Sequence, residues 1–253
     1  MKFYKVILTE AEIKKVRQNT QSDEFLTVGA INEHNYKKYI GKKVNVKYDV
    51  ELDLLNLTKL PITFGTVGGE FNCSGNKLTS LVGCPSEVGK DFDCSDNRLT
   101  SLKNCPSEVG GNFYCSGNRI SSLKGCPSKI VKGFDCSNNK LTSLEDGPSE
   151  VGWYYECNNN RLTSLKGCPE QSNGNLCCQE NELTSLEGVP EVINGNFYCE
   201  KNNLTTLEGG PKIVKGDFDC YENNLKSLKG GPKVTGETDD GSKPHRGFCY
   251  IKV

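Results

Sequence analysis

The chain has few histidines and no long apolar run. Its two histidines, His34 and His245, are isolated in the sequence, whereas zinc sites need clustered ligands such as two cysteines separated by two residues. The apolar run near the N-terminus is a few residues long, too short for a signal-peptide core or a membrane span. We therefore expect a cytoplasmic protein with no metal site and no membrane partner.

No catalytic motif occurs in the sequence either, so we expect neither an enzyme nor a cofactor. The net charge is -1, but residues 1–48 carry +5 and residues 49–253 carry -6. The basic surplus at 1–48 lacks a recognisable nucleic-acid-binding motif. We interpret it as the solvated surface of a cap, with a nucleic-acid patch as the alternative, and expect no direct binding of nucleic acid.

Cysteine is abundant, and its spacing is regular. Fourteen cysteines occur, and eight of them are separated by 21 residues each: Cys73, Cys94, Cys115, Cys136, Cys157, Cys178, Cys199 and Cys220. Four more lie just before a proline: Cys84, Cys105, Cys126 and Cys168. In a chain without an export signal such cysteines favour reduced, buried thiols that act as small apolar fillers. Disulfides and metal binding remain the alternatives.

The cysteines belong to a repeat that begins at Phe71 and has the pattern Phe-x-Cys-x-x-Asn-x-Leu-x-x-Leu. Eight copies follow one another from about 68 to 235 without insertions, and residues from Val50 to Val67 form a degenerate copy before them. A fixed period near 20 residues indicates stacked coils that each contact their neighbours. Phe and Cys alternate inward from a short strand, and the buried Asn satisfies backbone groups at the following turn.

This pattern resembles the leucine-rich repeat signature Leu-x-Leu-x-x-Asn/Cys-x-Leu over residues 49–235. The variant Leu-Thr-Ser-Leu-x-Gly-Cys-Pro is similar to short repeats of bacterial and bacteriophage proteins. The resemblance implies a β-rich solenoid with a parallel sheet on its concave face and an extended or turn-like convex side. It also implies a phage-like origin without fixing an activity.

Three domains are predicted. Residues 1–48 form a small α+β cap, with strands at Phe3–Leu8, Phe25–Ile31 and Lys43–Val50 and a helix from Thr9 to about Gln18. Residues 49–235 form the solenoid. Residues 236–253 form a C-terminal cap, a loop followed by a strand at Phe248–Val253.

The concave face is predicted to carry three outward positions in each of the eight regular coils. These 24 positions hold eight carboxylates, four tyrosines and no Lys or Arg, although chance placement would give about three basic residues. Basic residues collect instead at the next turn: Lys77, Arg98, Arg119, Lys140 and Arg161. The candidate partner-binding residues are Asp91, Asp93, Tyr114, Asp135, Tyr154, Glu156, Tyr198, Glu200, Asp217, Asp219 and Tyr221.

These observations favour a binding scaffold that captures a protein with a basic surface, since an acidic field attracts such a partner and tyrosines give rigid contact area. The phage-like resemblance implies a host protein, such as a defence or nucleic-acid-handling factor. One alternative is a structural role, either virion-associated or calcium-stabilised. The remote alternative is a glycoside hydrolase that uses Asp91 with Asp93 or Asp217 with Asp219, although a flat, wet sheet would leave their pKa values unraised.

Overall fold

We describe residues 25–171 and 173–235 of a computed structural model of the chain. These residues wind into a solenoid with about 21 residues per coil, built from parallel strands with almost no helix. The predicted repeat solenoid is therefore confirmed. The predictions for Phe3–Leu8, for the helix ending near Gln18 and for Phe248–Val253 lie outside the described residues.

The longest sheet contains one short strand from each of nine coils. Its strands are β3 (Val50–Glu51), β5 (Phe71–Asn72), β7 (Phe92–Asp93), β9 (Phe113–Tyr114), β11 (Phe134–Asp135), β13 (Tyr155–Glu156), β14 (Leu176–Cys177), β16 (Phe197–Tyr198) and β18 (Phe218–Asp219). All pairs are parallel, and each residue pairs with the one 21 positions away, as Phe71 does with Phe92. We call this sheet the long sheet.

A second row of strands follows the Pro-Ser segment of the coils, and we call it the second side. A five-stranded sheet contains β1 (Leu26–Val28), β2 (Lys43–Val46), β4 (Thr63–Val67), β6 (Glu87–Val88) and β8 (Glu108–Val109). A two-stranded sheet contains β10 (Lys129–Ile130) and β12 (Glu150–Val151). A three-stranded sheet contains β15 (Val192–Ile193), β17 (Ile213–Val214) and β19 (Lys233–Val234).

The second side is more regular than the extended or turn-like structure that the sequence predicted. Each of the two-residue strands β6, β8, β10, β12, β15 and β17 buries one aliphatic side chain, such as Val88 or Val109, while the preceding residue points outward. Serine side chains add bonds between coils, since the hydroxyl of Ser107 donates to the carbonyl of Ser86 at 3.1 Å. Two-residue strands therefore form here because identical segments stack in register, not because any one of them has a strong strand signal.

The described part of the N-terminal region joins the second side. Strands β1 and β2, which the sequence predicted as cap strands, pair in parallel with each other, and β2 pairs with β4. The one helical element among the described residues is a 3-10 helix at Tyr36–Tyr39, and no helix there is long and apolar enough to cross a membrane. The predicted domain boundary at residue 48 stays a prediction.

The core consists of stacked columns of identical side chains. Phe71, Phe92, Phe113 and Phe134 are fully buried, and neighbouring ring centroids lie 5.0–5.7 Å apart. Tyr155 continues this column, and the aliphatic columns that begin at Leu78 and Leu81 complete the interior of each coil. The inward positions predicted for Phe, Cys and Leu are thus confirmed, except that Leu228, the last member of the column that begins at Leu81, is exposed.

The column cysteines face inward as predicted, and seven of the eight are free thiols with no exposed surface. Burial raises the pKa of these thiols, as it does for Cys136 and Cys157. Cys220 differs because it is disulfide-bonded. The prediction of a wholly reduced column is therefore wrong at this last coil, where Cys220 faces inward and is buried like the others but is oxidised.

A buried asparagine joins each regular coil to the coil before it. Asn97 illustrates the arrangement, because its Nδ2 donates to the carbonyl of Cys73 in the preceding coil at 3.0 Å. The same Nδ2 donates to two carbonyls of its own turn, Cys94 and Ser95. Its Oδ1 accepts from the N–H of Leu78 at 2.9 Å. One amide therefore satisfies backbone groups of two coils, as the sequence predicted.

We expect replacement of Asn139 by Ala to lower the free energy of unfolding by about 1–3 kcal/mol, because it leaves buried backbone groups without partners. Asn139 accepts from the N–H of Ile120 and donates to the carbonyl of Cys115, both at 2.9 Å. Asn223→Ala is the matched control, since it removes the same bonds from a terminal coil that can fray, and it should cost less. Urea unfolding under reducing conditions measures both, and equal losses would contradict independent fraying of the end.

We expect the seven free column thiols to resist iodoacetamide at pH 8 in the native protein, because burial keeps them protonated and inaccessible. Cys105 and Cys168 are only partly buried, and burial raises the pKa of each to about 12. These two thiols should react before the column thiols, and mass spectrometry of the alkylated peptides gives the order. Rapid native labelling of Cys115 or Cys136 would contradict the inward orientation.

Candidate functional site

The surface that the structure assembles from the predicted binding residues is the outer face of the long sheet. In most strands of the long sheet an inward aromatic residue is buried and the next residue is half-buried on the outside, as in Phe92–Asp93 and Phe134–Asp135. In Leu176–Cys177 both residues are buried. We give the name long-sheet face to three positions of each coil: the outward residue of the strand, the residue two positions before it and the residue two positions after it.

All eleven predicted residues lie on this face, in three columns. The middle column contains Asp93, Tyr114, Asp135, Glu156, Tyr198 and Asp219. The column before the strands contains Asp91, Tyr154 and Asp217. The column after the strands contains Glu200 and Tyr221.

Glu51 also belongs to the middle column, and sequence reasoning missed it. Its strand pairs with the next one so that Glu51 lies beside Asn72, which in turn lies beside Asp93. The degenerate first coil has the same 21-residue register as the others, so the signal was present in the sequence. The middle column therefore has nine members, of which five are carboxylates and none is basic.

Several carboxylates of the face also support the backbone. Oδ1 of Asp93 accepts from the N–H of Ser95 at 2.9 Å and from its hydroxyl at 2.6 Å. Oδ1 of Asp135 accepts from the N–H of Ser137 at 2.9 Å. These local bonds end the strand in the manner of an Asx-turn. They fix each side chain through one oxygen and leave the second oxygen for other contacts.

The column before the strands joins successive coils. Asp91 accepts from the N–H of Asn112 at 2.8 Å through Oδ1 and from its Nδ2 at 3.0 Å through Oδ2. A Cβ at Gly111 would collide with Oδ1 of Asp91, so glycine is required beside this carboxylate. Asp91 is therefore a structural residue as well as a candidate contact, and both of its oxygens are occupied.

Tyr154 lies across the face instead of projecting from it. A Cβ added to Gly133, in the preceding coil, would meet the ring atoms of Tyr154. Burial, followed by a hydrogen bond with the side chain of Tyr114, raises the pKa of Tyr154. Tyr114 belongs to a strand two coils away from that of Tyr154. The two tyrosines thus form a platform that is held in place before any partner binds.

Four carboxylates of the face, those of Glu70, Asp93, Glu156 and Glu200, have raised pKa values, mainly because they are partly buried. Burial raises the pKa of Asp93 and Glu156, and Asp135 raises both further. Burial and the carboxylates of Asp91 and Asp49 raise the pKa of Glu70. For Asp93 this differs from the expectation of a wet sheet that leaves the carboxyl pKa values unraised, because the close spacing of neighbouring coils shields its side chain. The face is therefore partly desolvated, and its charges repel one another.

Trp153 precedes Tyr154 and is the only tryptophan of the chain. Its side chain is 56% exposed, and Nζ of Lys132 lies 5.5 Å from its ring centroid. It lies two residues before the strand Tyr155–Glu156. Its fluorescence can therefore report on events at the Tyr154 platform.

Two open grooves of about 920 and 740 Å³ lie on the second side, where they are lined by residues such as Lys129 and Glu108. Neither carboxylate pair considered for glycoside hydrolysis, Asp91 with Asp93 or Asp217 with Asp219, lines these grooves. Within residues 25–171 and 173–235, no group of three or more His, Cys, Asp or Glu side chains is arranged to hold a metal ion.

Comparison with known proteins gives no family for this chain: no protein-family model matches it, and no curated protein shows significant similarity to it. The interpretation of the long-sheet face therefore rests on its own residues.

We expect Asp93→Asn to stabilise the protein at pH 7 and to have little effect at pH 3. The pKa of Asp93 is raised in the folded protein, mainly by burial. Its ionisation therefore opposes folding, so stability falls as pH rises from the unfolded pKa, about 3.9, through the higher folded value. Asparagine keeps an oxygen that accepts from Ser95 but carries no charge.

Urea unfolding at the two pH values tests this prediction. Glu108→Gln is the matched control, because Glu108 is exposed on the second side and its replacement should change stability by less than about 0.5 kcal/mol. A loss of stability for Asp93→Asn at pH 7 would mean that the ionised carboxylate is favourable in the fold.

Proposed function

We propose that this protein is a non-enzymatic binding scaffold that captures a protein with a basic surface through the long-sheet face. The proposal depends mainly on the segregation of charge, since the 24 outward positions of the regular coils hold eight carboxylates and four tyrosines but no Lys or Arg. The resemblance to leucine-rich repeats of phage and bacterial proteins supports a phage-encoded product that acts on a host protein in the cytoplasm.

The electrostatics of the face support this proposal. Burial and mutual repulsion raise the carboxyl pKa values of Glu70, Asp93 and Glu156, so these groups gain from the approach of a cation. An array of like charges also speeds the encounter with a basic partner and makes it sensitive to salt. The charges of the face therefore favour rapid capture.

The Tyr154 platform supports a lasting contact. Interface energy concentrates in a few central aromatic or arginine side chains, and rigid tyrosines lose little entropy when they bind. Tyr154 is already held over Gly133 and hydrogen-bonded to Tyr114. It therefore offers a preformed anchor near the middle of the long sheet, with Asp135 and Glu156 beside it in the adjacent column.

We expect two kinds of variant to have different kinetic effects on the captured partner. Tyr154→Ala should raise the dissociation rate about tenfold or more, because it removes the aromatic anchor. Asp93→Asn combined with Asp135→Asn should mainly slow association and weaken its salt dependence. The asparagines keep the oxygens that accept from Ser95 and Ser137, so the fold is maintained.

The partner is first isolated from host lysate on the unaltered protein, and its binding is then measured by biolayer interferometry and Trp153 fluorescence. The matched control is Glu87→Gln with Glu108→Gln, which removes two carboxylates from the second side and should leave binding unchanged. If binding survived all three changes on the long-sheet face, that face would not be the site. The basic region 1–48 would then become the leading candidate.

A further inference from the structure

The carboxylates of the middle column follow a period of two coils. In alternate coils the outward residues are Glu51, Asp93, Asp135, Cys177 and Asp219. In the coils between them the outward residues are Asn72, Tyr114, Glu156 and Tyr198. Four of the first five are acidic, against one of the second four. A partner that matches the face must therefore present its cations at a two-coil spacing.

The register of the long sheet fixes that spacing. Neighbouring strands lie about 4.7–4.9 Å apart, so Glu51, Asp93 and Asp135 follow one another at about 9.4–9.8 Å. A polyproline II segment has three residues per turn and rises about 3.1 Å per residue, which places every third side chain on one line about 9.3 Å apart. An extended β segment repeats on one face at about 6.6–6.8 Å, and residues seven apart on an α-helix lie about 10.5 Å apart. The polyproline II spacing matches most closely.

The three carboxylates of this series are available to a ligand. Among the described residues none of Glu51, Asp93 and Asp135 forms an ion pair. Asp93 and Asp135 are oriented by bonds from serine to Oδ1, so their side chains are already ordered. Asp219 has another interaction, so it is left out of the series, which consists of Glu51, Asp93 and Asp135.

The residues between these carboxylates suit an extended segment, which is an observation independent of charge. Tyr114 lies between Asp93 and Asp135 and is held by Tyr154, which covers Gly133. Aromatic side chains that form a fixed surface are the usual contacts for polyproline II segments. Asn72 uses Oδ1 to accept from Ser74, so its amide N–H₂ group points away from that bond and can donate to a peptide carbonyl.

Two further oxygens on the same face lack a donor. Oε2 of Glu200 and Oδ1 of Asp217 are shielded from solvent and have no hydrogen-bond partner. A shielded acceptor without a donor is costly. Because solvent does not reach these two oxygens, a ligand cation would bond to them only if neighbouring side chains moved, and the spacing of the three carboxylates does not depend on them.

We propose that the long-sheet face binds an extended, polyproline II-like segment that carries Lys or Arg at every third position. The segment lies across the strands along the middle column, with cations at Glu51, Asp93 and Asp135 and its intervening residues on Asn72 and Tyr114. This inference rests on the proposed function, because it specifies the partner of the same face. It adds a requirement on the distance between the cations of the partner, which a basic surface without that regular spacing would not meet.

The test compares three synthetic peptides of identical composition, each with three arginines among prolines and alanines. The arginines occupy every third position, every second position or one contiguous block. Fluorescence anisotropy with the full chain at about 0.05 M and about 0.5 M salt gives the affinities. We expect the peptide with arginine at every third position to bind about tenfold more tightly than the other two at low salt, because its three matched ion pairs each contribute a small favourable free energy and the contributions add.

The variant Glu51→Gln with Asp93→Asn and Asp135→Asn should abolish the difference between the three peptides. Glu87→Gln with Glu108→Gln on the second side should preserve it. Equal binding of all three peptides by the unaltered protein would overturn the requirement on spacing while leaving the proposed function intact. Absence of binding by every peptide would also overturn the inference. The proposed function would fail as well only if the lysate partner bound the Tyr154, Asp93 and Asp135 variants as tightly as it binds the unaltered protein.

Discussion

The fold depends on one interaction, the buried asparagine amide that connects each coil to the previous one. A two-residue strand cannot hold a coil in place by itself, because it contributes few backbone bonds and only one buried ring. At the turn the amide donates one bond to the preceding coil and accepts another from it, as Asn97 does with the carbonyl of Cys73 and the N–H of Leu78. Since its geometry is the same in every copy, it also imposes the uniform register that aligns the Phe, Cys and outward columns.

That uniform register also makes the candidate surface possible. Because equivalent outward positions of successive coils line up, the residue at such a position in each coil determines which side chain the face presents there. The Asx bonds of Asp93 and Asp135 and the bonds of Asp91 to the next coil show that the same side chains serve the backbone and the surface. Structural and binding roles are therefore combined in single residues, and asparagine substitutions can separate them because asparagine retains an accepting oxygen.

The sequence predicted the columns correctly because their cause is local. Alternation places Phe92 and Cys94 inside and Asp93 outside, and the 21-residue period carries that assignment along the chain. The two-residue strands β6, β8, β10, β12, β15 and β17 of the second side were not predictable in this way, since each offers one buried aliphatic residue between a proline and a glycine. Likewise, the placement of Tyr154 depends on the absence of a side chain at Gly133, in another coil. Contacts between coils decide these features, and a single repeat does not show them.

The sixth regular coil is a mechanical seam in the solenoid. In the core, Leu176 separates Tyr155 from Phe197 and interrupts the column of aromatic rings. Asn181 still bonds to the preceding coil there. Under tension applied along the stack, the coils on either side would separate at this point first, and the molecule would part into two blocks that each keep their own core.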